Sequence, residues 1–119
     1  MQTLKEQTDA KIEMGRKANP NFMKGVDEII SEARALKKDA NAIKVSKKVP
    51  NFKLANQEGK VISLTDLLEK GPIVLTFYRG SWCPYCNLQL KALQSKLSDI
   101  HNLGAQLIAV SPEVPDDSL

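Results

Sequence analysis

The chain lacks what would commit it to a membrane, to secretion or to a metal. No stretch approaches the ~18 consecutive apolar residues that cross a bilayer, which excludes a helical membrane span. Met1 to Lys17 is polar, without the apolar core and small-residue cleavage site of a secretory leader. The reading is therefore a cytoplasmic protein, in a compartment where ordinary cysteines stay reduced. There are two cysteines, and in that compartment they are poor candidates for a structural staple. Weight shifts to redox chemistry or metal binding. A structural zinc needs four ligands, yet His101 is the one histidine and there is no third cysteine, so only a site shared between two chains would serve. The net charge of +3 is concentrated in lysine runs, Lys37-Lys38 and Lys44 to Lys48. With no interleaved aromatics and no base-reading motif these runs read as solvated faces, not as a nucleic-acid surface. No flavin, nucleotide or metal motif is present, so no bound cofactor is expected, and there is no internal repeat.

What is present is one domain's worth of chain, 119 residues, with an N-terminal extension. From Pro20 to about Ala40, Phe22, Met23, Val26, Ile29, Ile30, Ala33 and Leu36 recur at the three- and four-residue spacing of one helix face. Asn19 before Pro20 is a capping side chain ahead of a first-turn proline. Thr3 to Lys17 also reads as helix, with a thin apolar stripe. Residues 1–45 are thus expected to be a helical extension, packed on the following domain or on a second copy of the chain.

The remainder, residues 46–119, follows another pattern. Phe52-Lys53-Leu54 and Val61-Ile62 flank Asn56-Gln57-Glu58-Gly59, a hairpin in which glycine supplies the positive φ. A short helical turn, Thr65 to Lys70, closes at Gly71-Pro72. Ile73 to Tyr78 is an apolar and aromatic run that fits a strand buried on both faces. After the turn Arg79-Gly80-Ser81-Trp82, Leu88, Leu90, Leu93 and Leu97 mark a helix running to about Asn102-Leu103-Gly104. Ala105 to Val110 is a second buried strand, and Ser111 to Leu119 a loop. The order strand, turn, helix, strand is a βαβ unit, so the fold class is α/β.

The cysteines matter for their place in that unit. Cys83 lies where the turn enters the helix, and Pro84 suits the first helical position. Unpaired N–H groups and the positive end of the helix dipole then face the sulfur and favour a thiolate. Cys86, one turn on, can close a disulfide with it, and Arg79 adds a permanent cation at the same turn. Trp82 either shields one face of the site or, as its commoner role, packs; Tyr85 borders the sulfurs without a chemical task. His101 reads as surface. A pair of inert core cysteines is the competing reading, opposed by the turn and the proline. The first cysteine of such a motif is generally the exposed one, which points to Cys83 as the attacking thiol in disulfide exchange.

At Phe77-Tyr78-Arg79-Gly80-Ser81-Trp82-Cys83-Pro84-Tyr85-Cys86 the sequence resembles the peroxiredoxin-like branch of the thioredoxin superfamily, the alkyl hydroperoxide reductase and thiol-specific antioxidant group. Val49 to Leu54, Asn56 to Leu67 and Leu103 to Glu113 extend the likeness. The resemblance implies a thioredoxin-like fold and reduction of hydrogen peroxide or organic hydroperoxides through a sulfenic acid and a disulfide. A thioredoxin-like or glutathione-type donor would then restore the dithiol. It also implies two opposed assignments. Counted from Tyr78 on the peroxiredoxin pattern, Cys86 takes the peroxidatic position, Cys83 that of a threonine and Arg79 that of a proline. On the thioredoxin pattern Cys83 attacks and Cys86 resolves. Thioredoxin-like domains continue beyond the second core strand, so the chain resembles the N-terminal portion of such a domain. Exposed sheet edge and apolar surface would then leave it either paired with another copy or only marginally stable. The competing functions are a thiol–disulfide exchanger without peroxidase activity, since Cys-Pro-Tyr-Cys is also a glutaredoxin motif, and a dimerising module whose dithiol is vestigial.

Overall fold

The computed structural model describes residues 1–114, which form two compact units divided after Pro50. The predicted loop from Ser111 therefore lies partly outside the described residues.

The first unit is a pair of helices, α1 (Leu4–Ala18) and α2 (Pro20–Ala35). Thr3 and Glu6 form a reciprocal capping box at the start of α1: Glu6 N–H donates to Thr3 Oγ1 at 3.2 Å, and Thr3 N–H to Glu6 Oε2 at 2.7 Å. A single residue turns the chain. Asn19 N–H closes α1 on the Gly15 carbonyl at 2.9 Å, while Asn19 Oδ1 caps α2 by accepting from Phe22 N–H at 3.1 Å. Arg16 and Asp27 join the helices through a two-pronged ion pair at 2.7 and 3.1 Å. The guanidinium holds the Asp27 carboxyl below its ordinary pKa, but both side chains are solvated and such pairs contribute little. Met23 is the buried side chain of this unit. The second helix is shorter than its periodicity predicts. Lys37 adopts a left-handed conformation, φ 47°, and Lys38–Asn41 continue as a single 3₁₀ turn. An apolar pattern marks a face but carries no signal for where the backbone stops propagating.

Replacing Asn19 by alanine is expected to destabilise this unit by about 1 kcal/mol, the usual cost of a lost N-cap. Urea unfolding followed by circular dichroism would measure it, with Asn19→Ser as the variant that retains the cap.

In the second unit, β1 (Lys53–Ala55) and β2 (Val61–Ser63) pair antiparallel, Leu54 opposite Ile62. The turn between them is organised by Asn56, whose Oδ1 accepts from Glu58 N–H at 3.0 Å and Lys60 N–H at 2.9 Å. Gly59 supplies the positive φ, 76°. The hairpin runs into α3 (Leu64–Leu68), where Ser63 and Leu64 are buried. Then β3 (Ile73–Phe77), α4 (Pro84–Ser95), α5 (Leu97–Asn102) and β4 (Gln106–Val110) complete the βαβ order, with β3 and β4 parallel and Phe77 in register with Val110.

Two expectations need correction. The single helix to Asn102 is broken at Lys96, whose φ of −103° and ψ of 4° leave the helical range. And β3 is not buried on both faces: Thr76 is buried, but Phe77 is 68% exposed and Val74 37%. β4 likewise is mostly half-buried. The physical reason is the sheet arrangement. Hairpin and βαβ strands form separate two-stranded sheets among the described residues, so β3 has one hydrogen-bonded neighbour, and the exposed Val74 and Phe77 lie on opposite faces of it. A run of apolar residues records what a strand can bury, not how much cover it has.

Candidate active site

Six residues singled out by sequence, Arg79, Trp82, Cys83, Pro84, Tyr85 and Cys86, fall on the turn after β3 and the first turn of α4. Pro84 sits in the first turn of α4, where it leaves no donor unsatisfied, and Cys83 is the N-cap. In most helices a hydroxyl or carboxylate oxygen takes this place; here it is a sulfur, and Cys86 N–H donates to Cys83 Sγ at 3.4 Å. Arg79 Nη2 donates to the same sulfur at 3.3 Å. The backbone N–H of Arg79 reaches Cys86 Sγ at 3.5 Å, so one residue addresses both sulfurs. Both cysteines are free thiols.

These contacts set the acidity of Cys83. Burial, the largest single influence, pushes the thiol up; hydrogen bonds from the Cys86 side chain and backbone, then from the Arg79 guanidinium, pull it down further, to about 7. The reciprocal effect raises Arg79, whose charge is held by the sulfur facing it. Near neutral pH a share of Cys83 is thus thiolate, the form that attacks peroxides and disulfides.

The expectation that the first cysteine is the exposed one is contradicted. Cys83 is 1% exposed and Cys86 is half-buried. The cause is the cap itself, since a sulfur turned inward onto the Cys86 N–H and contacted by Arg79 is withdrawn from solvent. Trp82 also differs from its packing assignment. It is 64% exposed, and its indole carries the Arg79 guanidinium at 5.0 Å from the ring centroid, a cation–π contact. Tyr85 is half-buried and His101 exposed. Among the described residues, no third His, Cys, Asp or Glu stands near enough to complete a metal site with the cysteine pair.

Sequence reasoning missed the residues that hold the turn. Asn87 Nδ2 donates to the Ser81 carbonyl at 2.8 Å, and the Glu113 carboxylate accepts from Ser81 N–H at 3.0 Å and Ser81 Oγ at 3.1 Å. Asn87 had a local signal, being a polar residue in the first helical turn. Glu113 had none, because 32 residues separate it from Ser81. A cavity of about 530 Å³ opens between the hairpin and β4, lined by Leu54, Ile62, Tyr78, Val110 and Glu113 among others, but neither cysteine borders it.

Residues 45–119 match the model of the AhpC/TSA family. The chain is 37% identical over 71 residues to a Helicobacter pylori protein named "Putative peroxiredoxin bcp", covering 60% of this chain and 46% of that one. It is 31% identical over 78 residues to "Thiol-disulfide oxidoreductase ResA" of Bacillus thuringiensis, 66% of this chain and 44% of that one. To "Peroxiredoxin Q, chloroplastic" of Triticum aestivum it is 39% identical over 62 residues, 52% of this chain and 28% of the other. The chain thus spans about half the length, or less, of these curated relatives. No helix among the described residues is long and apolar enough to cross a membrane. With a family match that takes in the hairpin, the βαβ unit and the dithiol at its turn, the chain belongs to the AhpC/TSA family, a thioredoxin-superfamily group.

Proposed function

We propose that this chain reduces hydrogen peroxide or small organic hydroperoxides through a dithiol–disulfide cycle in which Cys83 attacks and Cys86 resolves. The observation that carries the proposal is the sulfur of Cys83: 1% exposed, held by Arg79 at 3.3 Å and by Cys86 N–H at 3.4 Å, with a pKa drawn to about 7. A thiolate this enclosed suits an oxidant of a few atoms better than a protein disulfide. Its lone pair attacks one peroxide oxygen, the O–O bond breaks, and hydroxide (or the alkoxide) leaves and takes a proton from solvent. Sulfur, oxidised by two electrons, is now a sulfenic acid. The Cys86 thiol then attacks that sulfur, giving the disulfide and water. Two equivalents of an external thiol, from a thioredoxin-like protein or glutathione, return the pair to the dithiol. Arg79 stabilises the thiolate before attack, and Trp82 rests against the guanidinium. Residues 1–45 are proposed as a helical extension that precedes the redox domain, residues 46–119.

A second reading, thiol–disulfide exchange without peroxidase activity, is favoured by the partial exposure of Cys86, which a partner thiol can reach. The two separate in one experiment. Trp82 is the sole tryptophan, so stopped-flow fluorescence after mixing the reduced chain with one equivalent of hydrogen peroxide reports on this turn alone. The peroxidase reading expects an emission change much faster than oxidation of free cysteine. A change no faster than that control refutes it and leaves exchange, which a glutathione disulfide mix would then reveal.

A further inference from the structure

We infer that Glu113 is a positioning residue for the redox turn, its carboxylate clamping Ser81 so that Arg79 and Cys83 stay in register with the start of α4. The inference rests on Cys83 as the reactive thiolate, but not on which oxidant meets it. Glu113 Oε1 takes both donors of Ser81, the backbone N–H at 3.0 Å and the hydroxyl at 3.1 Å. Its own backbone N–H is tied to Ser111 Oγ at 3.2 Å, which steadies the segment that carries it. On the opposite side the Ser81 carbonyl is held by Asn87 Nδ2 at 2.8 Å. The turn is therefore gripped from α4 and from the segment after β4, and the gripped residue lies between the cation and the thiol. Gly80 makes room for the clamp: a Cβ there would overlap both Glu113 Oε1 and Trp82 Nε1.

The acidity of Cys83 is set by burial, Cys86 and Arg79, not by the Glu113 carboxylate directly, so Glu113 reaches the thiol through the geometry of the turn. Releasing the turn removes the Arg79 contact and raises the thiol's pKa, whereas dropping the charge while an oxygen still accepts from Ser81 does not raise it.

The test titrates Cys83 by thiolate ultraviolet absorbance in the Cys86→Ser background, where one thiol remains. Glu113→Ala is expected to raise the midpoint by about 1 unit. Glu113→Gln, which keeps an oxygen acceptor for Ser81 and drops the charge, is expected to hold or lower it. If both variants lower the midpoint, or neither moves it, the positioning role is overturned. Should Glu113→Ala fail to fold by circular dichroism, Ser81→Ala carries the test. It removes one clamp bond with the carboxylate intact and must raise the midpoint; an unchanged or lower value overturns the inference. Peroxide consumption by the parent is measured alongside. A parent inert to peroxide whose thiol still responds in this way refutes the peroxidase reading and keeps the inference.

Discussion

Replacing Cys83 by serine is expected to lower peroxide consumption by at least about 10³-fold, the scale on which enzymes lose rate when their nucleophile is removed. A hydroxyl cannot substitute, because nothing at this turn would ionise it near neutral pH. Cys86→Ser is expected to behave differently. Its backbone N–H still caps the Cys83 sulfur, and its hydroxyl can still donate, so the first oxidation proceeds at close to the parent rate. The cycle then stalls after one equivalent, because the chain has no second thiol to condense with the sulfenic acid and the buried Cys83 sulfur is withdrawn from an external one. Single-turnover and steady-state assays on the two variants separate these outcomes: one loses the burst, the other keeps the burst and loses turnover. Equal loss in both variants, burst included, would mean that the sulfurs do not have distinct roles.

The second large effect belongs to Arg79. Its Nη2 contact is among the forces that bring Cys83 to about 7, so Arg79→Leu is expected to raise the thiol midpoint by about 1 unit and cut the thiolate at pH 7 roughly fivefold. The rate should fall less. A more basic thiolate is a better nucleophile, with a Brønsted slope of about 0.4–0.5, and recovers about threefold of that loss. The sign with pH then follows. Cys83 has a lowered pKa, so the parent's rate rises through pH 7 and flattens above it. The variant keeps rising to higher pH and overtakes the parent on the alkaline side. Crossing pH–rate profiles are the expected result. A variant slower at every pH by a constant factor would instead mean that Arg79 acts on the oxidant in the transition state, not on the thiol's ionisation.

How much of this was legible in the sequence differs by kind of feature. Local signals carried well. Asn19-Pro20 marked a helix start, Asn56 to Gly59 marked a turn, and Cys83-Pro84 marked a helix opening at a dithiol, because each depends on residues within a few positions of one another. The placement of Arg79 on the sulfur was legible for the same reason, four residues being one turn's reach. Cover was not legible. The apolar run of β3 reads as doubly buried, yet Phe77 is largely exposed, because burial depends on which strands and layers stand beside it. The exposure of the two cysteines was misjudged for a related reason: which sulfur turns inward is decided by cap geometry, not by order in the motif. The bond from Glu113 to Ser81 was invisible because only the fold brings those residues together.

The central claim is that Cys83 is the sulfur that meets the oxidant. The most direct test treats the Cys86→Ser and Cys83→Ser variants with one equivalent of hydrogen peroxide in the presence of dimedone, then maps the adduct by peptide mass spectrometry. A sulfenic acid trapped rapidly on Cys83, with Cys86 in the other variant labelled no faster than a free thiol, is the predicted result. Rapid labelling of Cys86 with Cys83 unreactive would contradict the account and assign the attack to the second sulfur.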